Sequence, residues 1–226
     1  MRQIAVIGLG RFGSSVAVTL AGRGCEVLAI DKDPEEVEAL SEFVTNAVQC
    51  DATHEKALRG AGIASVDAAV VGIGDSVEGS IMVVMTLQEI GIKEIIAKSI
   101  SPLHDAILSK MGVSRIIRPE RDAGERLAHS LLSPNILEYL PLSPGYSLEE
   151  ISVPEKFIGQ KLDEFQRQTH YRVNVIAVKK KVTHLVGKEL RQEEIFNFIP
   201  SSEDLLDKGD ILVVIGREED LGKLGV

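Results

Sequence analysis

Short apolar runs alternate with helix-like segments over the first 117 residues. Ile4–Gly8 reads as a strand ended by glycine, and Ser14–Arg23 as the helix behind it. Glu26–Ile30 is the next strand. Pro34–Phe43 follows as a helix, with Asp33 at its N-cap and Pro34 at its first position. Ala47–Cys50 with His54–Gly60, Asp67–Gly72 with Ser76–Ile90, and Glu94–Lys98 with Pro102–Met111 repeat the unit, and Arg115–Ile117 closes the series. Strands and helices in strict alternation predict a parallel sheet with helices on both faces. The strands are continuous runs rich in β-branched residues rather than alternating ones, as expected where both faces are buried.

After Arg118-Pro119 the rhythm changes. Glu120–Leu132 is one long helical segment, broken by Ser133-Pro134-Asn135. Pro141, Pro144 and Gly145 then fall close together, which predicts a linker over 136–145 between domains at 1–135 and 146–226. The second domain holds a strand at Tyr146–Val153, a helix near Lys161–Thr169 and a strand at Val173–Lys179. A strand pair follows near Phe196–Ile199 and Asp210–Gly216, with a turn at Gly209. This is a small α+β domain, of a size that is only marginally stable alone and is expected to pair with a copy of itself. The chain as a whole is α/β, a doubly wound parallel sheet with a second, smaller domain.

Composition narrows the function. The 226 residues carry 25 Lys+Arg against 34 Asp+Glu, a formal net charge of −9. The acidic excess extends over both domains, so nucleic acid is not expected as a ligand. Lys179-Lys180-Lys181 is the one basic cluster and reads as a solvated hairpin end. No stretch approaches the roughly 20 apolar residues of a membrane span, and Met1-Arg2-Gln3 runs straight into a strand without a signal peptide. Cys25 and Cys50 form no CxxC pair, so neither a disulfide framework nor a zinc site is expected. These features predict a cytoplasmic protein.

Gly8-Leu9-Gly10-Arg11-Phe12-Gly13 matches GxGxxG between the first strand and the first helix. Gly8 permits the tight turn, Gly10 lets the backbone approach a pyrophosphate, and Gly13 lets helix and strand pack closely. The helix N-terminus then offers free N–H groups to phosphate. Asp31 ends the second strand, where a carboxylate accepts hydrogen bonds from both ribose hydroxyls and repels a 2′-phosphate. Further candidates cluster at strand C-terminal ends, where open parallel sheets bind ligands: Asp51-Ala52-Thr53, Gly72-Ile73-Gly74-Asp75 and Lys98. Asp51 is placed to meet an adenine edge or to cap a helix. Lys98 reaches either phosphates or solvent. Arg11 sits within the glycine loop, where its guanidinium lies beside the phosphates. The five histidines form no recognisable pair, and no GxSxG, HExxH or P-loop pattern is present, so binding is better supported than catalysis.

Ile7–Gly13, Asp31, Asp51-Ala52-Thr53, Val71–Gly74 and Ile117–Asp122 together resemble the RCK (KTN) domains of bacterial potassium-transport regulators, and 146–226 resembles their C-terminal subdomain. The resemblance extends over nearly the whole chain and is nearest to Ktr-type cytosolic gating subunits. It implies a Rossmann-like fold and a nucleotide-sensing subunit without chemistry of its own. Such subunits form homodimers that assemble into an octameric ring beneath a membrane-embedded potassium transporter subunit and gate it as ATP exchanges with ADP. Arg11 would contact the terminal phosphates and Asp31 the ribose, with Phe12, Lys32, Ala52, Gly72, Ile73, Gly74 and Lys98 around them. Glu120 would reach the partner subunit's nucleotide through a divalent or sodium cation. Leu127, Leu131 and Leu132 would dock on the neighbouring subunit or pack within their own. The C-terminal subdomain of several relatives binds cyclic di-AMP, for which Arg172, Asn174, Val175, Ile176 and Pro200 are candidates. This chain departs from that pattern by a longer stretch, Lys181–Asn197, between strands. NAD or NADH fits the same glycine loop and Asp31. A small NAD(H)-dependent oxidoreductase or NAD(H) redox sensor is therefore the alternative reading.

Overall fold

The computed structural model describes residues 1–132, 135–169, 172–186 and 189–224, in two compact units, Met1–Glu120 and Arg121–Val226. The first unit holds β1 (Gln3–Ile7), α1 (Arg11–Gly22), β2 (Glu26–Asp31), α2 (Pro34–Leu40), β3 (Asn46–Gln49) and α3 (Glu55–Gly60). It continues with β4 (Ala68–Val71), α4 (Val77–Ile90), β5 (Glu94–Lys98), α5 (Pro102–Lys110) and β6 (Arg115–Ile117). The strands form one parallel sheet in the order β3-β2-β1-β4-β5-β6. The order reverses between β1 and β4, and ligands of open parallel sheets bind at such a switch point.

Successive residues of each strand feed opposite cores, which is why the strands read as unbroken apolar runs. Ala5 and Ile7 of β1 pack with Leu58 of α3, Val83, Val84 and Leu87 of α4 and Leu108 of α5. Ile4 and Val6 pack on the other face with Ala17 of α1 and Leu40 of α2. The helix starts follow local chemistry. Asp33 accepts from the Glu35 amide ahead of Pro34, Ser76 caps α4 through the Gly79 amide, and Ser101 caps α5 through the His104 amide.

Helix α6 (Pro119–Leu132) begins at the end of the first unit and continues into the second. There follow β7 (Ile136–Ser143), β8 (Tyr146–Ser152), α7 (Leu162–Gln168), β9 (Val173–Val186), β10 (Glu189–Asn197), β11 (Ile211–Arg217) and α8 (Glu218–Leu221). The second sheet is antiparallel, in the order β10-β9-β11-β8-β7. Phe157 and Phe165 meet edge to face at 4.8 Å in its core, beside Ile151, Leu206, Leu212 and Val214.

Three expectations change here. The stretch 136–145, expected as a linker, is β7 and the turn of a hairpin with β8, turning at Gly145 with φ +77°. Pro141 is tolerated because β7 is the edge strand and needs no outward donor. The stretch Lys181–Asn197, read as lying between strands, is strand for most of its length: β9 continues to Val186 and pairs with β10. Lys179 and Lys180 are therefore inside a strand rather than at a hairpin end. Lys179 pairs with Glu150, and Lys180 with Asp207 and Asp210.

Candidate functional site

The loops at the C-terminal ends of β1, β2, β3, β4 and β5 enclose a cleft of about 560 Å³ at the switch point, within the roughly 300–1,000 Å³ of small-ligand sites. Gly8, Gly10, Arg11, Phe12, Asp31, Lys32, Asp51, Ala52, Gly72, Ile73, Gly74, Lys98 and Glu120 all line it. Gly13 does not. It lies behind the loop, where an added Cβ would stand 1.8 Å from the Gly8 carbonyl oxygen. Gly8 turns the chain at φ +88° with the Ile73 amide nitrogen 2.9 Å from where a Cβ would be. Gly10 is different, because an added Cβ there meets nothing within 4 Å. The space beside Gly10 is open, and packing makes no demand for glycine.

Gly10 is also the N-cap of α1. It supplies no side-chain oxygen, and the first turn of α1 holds no acidic residue. The N–H groups and the positive dipole end of this twelve-residue helix are thus uncompensated by the helix's own side chains, and Arg11 adds a guanidinium beside them. The arrangement favours an anion.

Asp31 closes β2 with both carboxylate oxygens committed to backbone. Oδ2 accepts from the Leu9 amide at 2.6 Å and Oδ1 from the Asp33 amide at 3.0 Å. The residue expected to read a ribose therefore also ties the glycine loop to β2. A carboxylate has about four lone-pair sites, so acceptor capacity remains for hydroxyl donors. Lys32 reaches across to Asp75 at 3.7 Å, both side chains being exposed.

Asp51 does not cap α3, whose N-cap is His54. Its Oδ1 accepts from the Thr53 amide at 3.0 Å and the Thr53 hydroxyl at 2.7 Å, a local turn that pulls the acid below the ordinary aspartate range. Burial, and then the Asp51 charge, pushes the adjacent Cys50 thiol up. At the other end of the cleft the Lys98 ammonium, 11% exposed, holds Glu120 Oε1 at 2.7 Å. That hydrogen bond lowers the Glu120 acid. Arg118 binds Asp105 of α5 at 2.6 Å, which helps fix the segment that carries Glu120. With its carboxylate taken by Lys98, Glu120 offers a cation one shared ligand, and among the described residues no cluster of three or more His, Cys, Asp or Glu has metal-binding geometry.

Asp33, Glu36, Cys50, Ser76, Gly79 and Val83 also line the cleft and were not anticipated. Cys50 was findable because it immediately precedes Asp51, and Glu36 because it follows the Asp33 cap by less than one turn. In the second unit the cyclic di-AMP candidates separate by strand alternation. Val175 is buried in the core, whereas Asn174 and Ile176 face out. Val175 therefore packs in the core of its own unit, and its side chain is not on the outward face with Asn174 and Ile176. Arg172 lies 3.5 Å from Asp220.

The TrkA-N domain family model matches residues 4–119. The chain is 35% identical over 222 residues to Ktr system potassium uptake protein C of Bacillus subtilis, covering 98% of this chain and 95% of that protein. Ktr system potassium uptake protein A of Vibrio alginolyticus is 31% identical over 220 residues, covering 97% and 94%. Among solved structures, the GsuK channel bound to NAD superposes with a TM-score of 0.52 at 19% identity, and covers 99% of this chain while this chain spans 38% of that one. By the match to its first unit and by end-to-end identity with two Ktr proteins, the chain belongs to the TrkA-N family, in which these potassium uptake proteins are its relatives.

Proposed function

We propose that the chain is a nucleotide-sensing regulatory subunit that gates a membrane potassium transporter. One observation carries the reading. A glycine loop, an uncapped helix N-terminus with Arg11, and Asp31 line a single cleft at the switch point of the sheet. This combination suits an adenosine nucleotide with an unphosphorylated ribose, and ATP and ADP are the ligands proposed. The acidic rim of Asp31, Asp33 and Glu36 disfavours a 2′-phosphate.

Gating needs only that the ligand bind two arrangements of the protein with different affinity. A γ-phosphate extends toward Arg11, and Glu120 would reach the γ-phosphate of a neighbouring subunit's nucleotide through a divalent or sodium cation, which offsets the repulsion of two anions. The assembly proposed is a homodimer building a homo-octameric ring against the inner face of the membrane, held there by a Ktr- or Trk-type membrane subunit. Among the described residues no helix is long and apolar enough to cross a membrane itself. Cyclic di-AMP remains a second proposed effector, through Arg172 and Asn174 of the C-terminal unit.

The test is calorimetric titration of nucleotide-stripped protein with ATP, ADP, NAD and NADH in parallel. Tighter binding of ATP and ADP is expected, with Arg11→Ala weakening ATP more than ADP. A preference for NADH would replace this reading with NAD(H) sensing or catalysis.

A further inference from the structure

Glu149 lies on β8 inside the second unit, 3% exposed. One carboxylate oxygen, Oε1, accepts from the Ser147 hydroxyl at 2.9 Å, while Oε2 is buried without any hydrogen-bond partner. A bare carboxylate oxygen in that position is costly, whereas a neutral carboxyl oxygen is tolerated far better. Around it stand groups from every element packed there. From α6 come Glu125 and His129, the latter stacked on Tyr139 at 4.1 Å and 10°. From β7 comes Tyr139 itself, whose hydroxyl donates to Glu218 of α8 at 2.7 Å. On the β11 side of β8, the register partner of Glu149 is the apolar Val214. The corner therefore gathers three carboxyls, with the exposed His129 ring at its edge.

We propose that Glu149 is a proton-responsive latch: with its carboxyl protonated, α6, the β7–β8 hairpin and α8 close around Tyr139, and loss of that proton loosens them. With the proton on Glu149, no buried charge faces Glu218. Once it is lost, the buried Glu149 carboxylate faces Glu218 across Tyr139 with one oxygen unpartnered.

The direction follows from the environment. Burial raises the Glu149 acid above the usual glutamate value of 4.5, opposed by Ser147 and His129 and reinforced by Glu218. The same corner pushes the Tyr139 phenol up to about 12, first through burial and then through Glu218. An acid raised by folding binds its proton more tightly in the folded state. Its stabilisation is thus complete below the unfolded value and fades as pH rises through the elevated folded one. This input belongs to the second unit and stands whether or not the first unit binds nucleotide.

The experiment is amide hydrogen exchange on the full-length protein between about pH 5 and 8, corrected for the intrinsic pH dependence of exchange. Protection of α6 and the β7–β8 hairpin is expected to fall as pH rises, and Glu149→Gln to abolish that slope. A flat wild-type profile, or a Glu149→Gln profile that keeps the wild-type slope, would overturn the proposal. A second readout needs no variant. The infrared carbonyl band of a protonated glutamic acid, assigned by 13C-glutamate labelling, is expected above the pH at which solvent-exposed glutamates have ionised. Its absence there would sink the idea equally.

Discussion

At the scale of single residues, glycines of one motif do different work, and substitution separates packing from binding. Gly13→Ala places a methyl group 1.8 Å from the Gly8 carbonyl oxygen, a backbone atom that cannot step aside. The expected cost is at least about 2 kcal/mol in urea unfolding, with nucleotide binding lost along with the loop. Gly10→Ala meets no atom within 4 Å, so stability should fall by no more than about 1 kcal/mol, for a poorer N-cap, while nucleotide affinity falls sharply. Parallel unfolding and calorimetric curves check both, and an unchanged affinity in Gly10→Ala would mean that phosphate does not approach that backbone. Asp31→Ala should weaken every adenosine ligand and also loosen the loop, because it removes the acceptor for the Leu9 amide. Asp31→Asn keeps an acceptor there and should recover the loop more than the affinity. Glu120 gives a pH signature. Its acid is lowered by Lys98, so the ion pair is intact above the ordinary glutamate range and is lost as pH falls through the depressed value. In Lys98→Met, carboxyl NMR should show Glu120 titrating at higher pH than in wild type.

At the scale of elements, caps and strand edges decide where local sequence is informative. Ser101 accepts from the His104 amide at 3.1 Å at the start of α5, so Ser101→Ala should cost about 1 kcal/mol, read from the urea midpoint at unchanged slope. The alternation of the first unit was legible because a parallel sheet covered on both faces forces continuous apolar strands and leaves Gly, Pro, Asp and Ser at their ends. The cleft was legible for the same reason: its residues sit at strand ends, next to punctuation that sequence displays. Asp51 was placed in the cleft but not in its local role, since an Asx turn through Thr53 and a helix cap use the same residue type. The second unit was harder to read. Pro141, Pro144 and Gly145 mark a linker and an edge hairpin alike, and only long-range pairing of β7 with β8 distinguishes them. Lys179 resembled a solvated residue because its partner Glu150 lies on β8, far away in sequence. Glu149 gave no signal, because its burial depends on β7, α6 and α8 together.

At the scale of the whole molecule, two units with separate cores share a chain through α6, and that helix is where assembly should be tested. None of its residues is buried. Leu127, Leu131 and Leu132 are 60%, 73% and 81% exposed, which rules out the reading in which they serve as core within their own chain. The four-residue spacing puts Leu127 and Leu131 on neighbouring turns of one side, with Leu132 about 100° further round. An apolar stripe on an otherwise polar helix is costly in water and is characteristic of an interface. A second copy of the chain is the natural cover, since the small second domain is expected to need one. The wild-type protein should therefore sediment as a dimer or larger species at micromolar concentration. Leu127→Ala, Leu131→Ala and Leu132→Ala combined should shift it toward monomer, while the far-ultraviolet circular dichroism, dominated by the two sheets and remaining helices, stays native. If nucleotide gates through the assembly, the triple variant should still bind ATP through its own glycine loop but lose any contribution that a neighbouring Glu120 makes. ATP affinity should then fall toward that of ADP. A triple variant that stays oligomeric would place the interface elsewhere. One that becomes monomeric with ATP affinity unchanged would separate nucleotide recognition from assembly altogether.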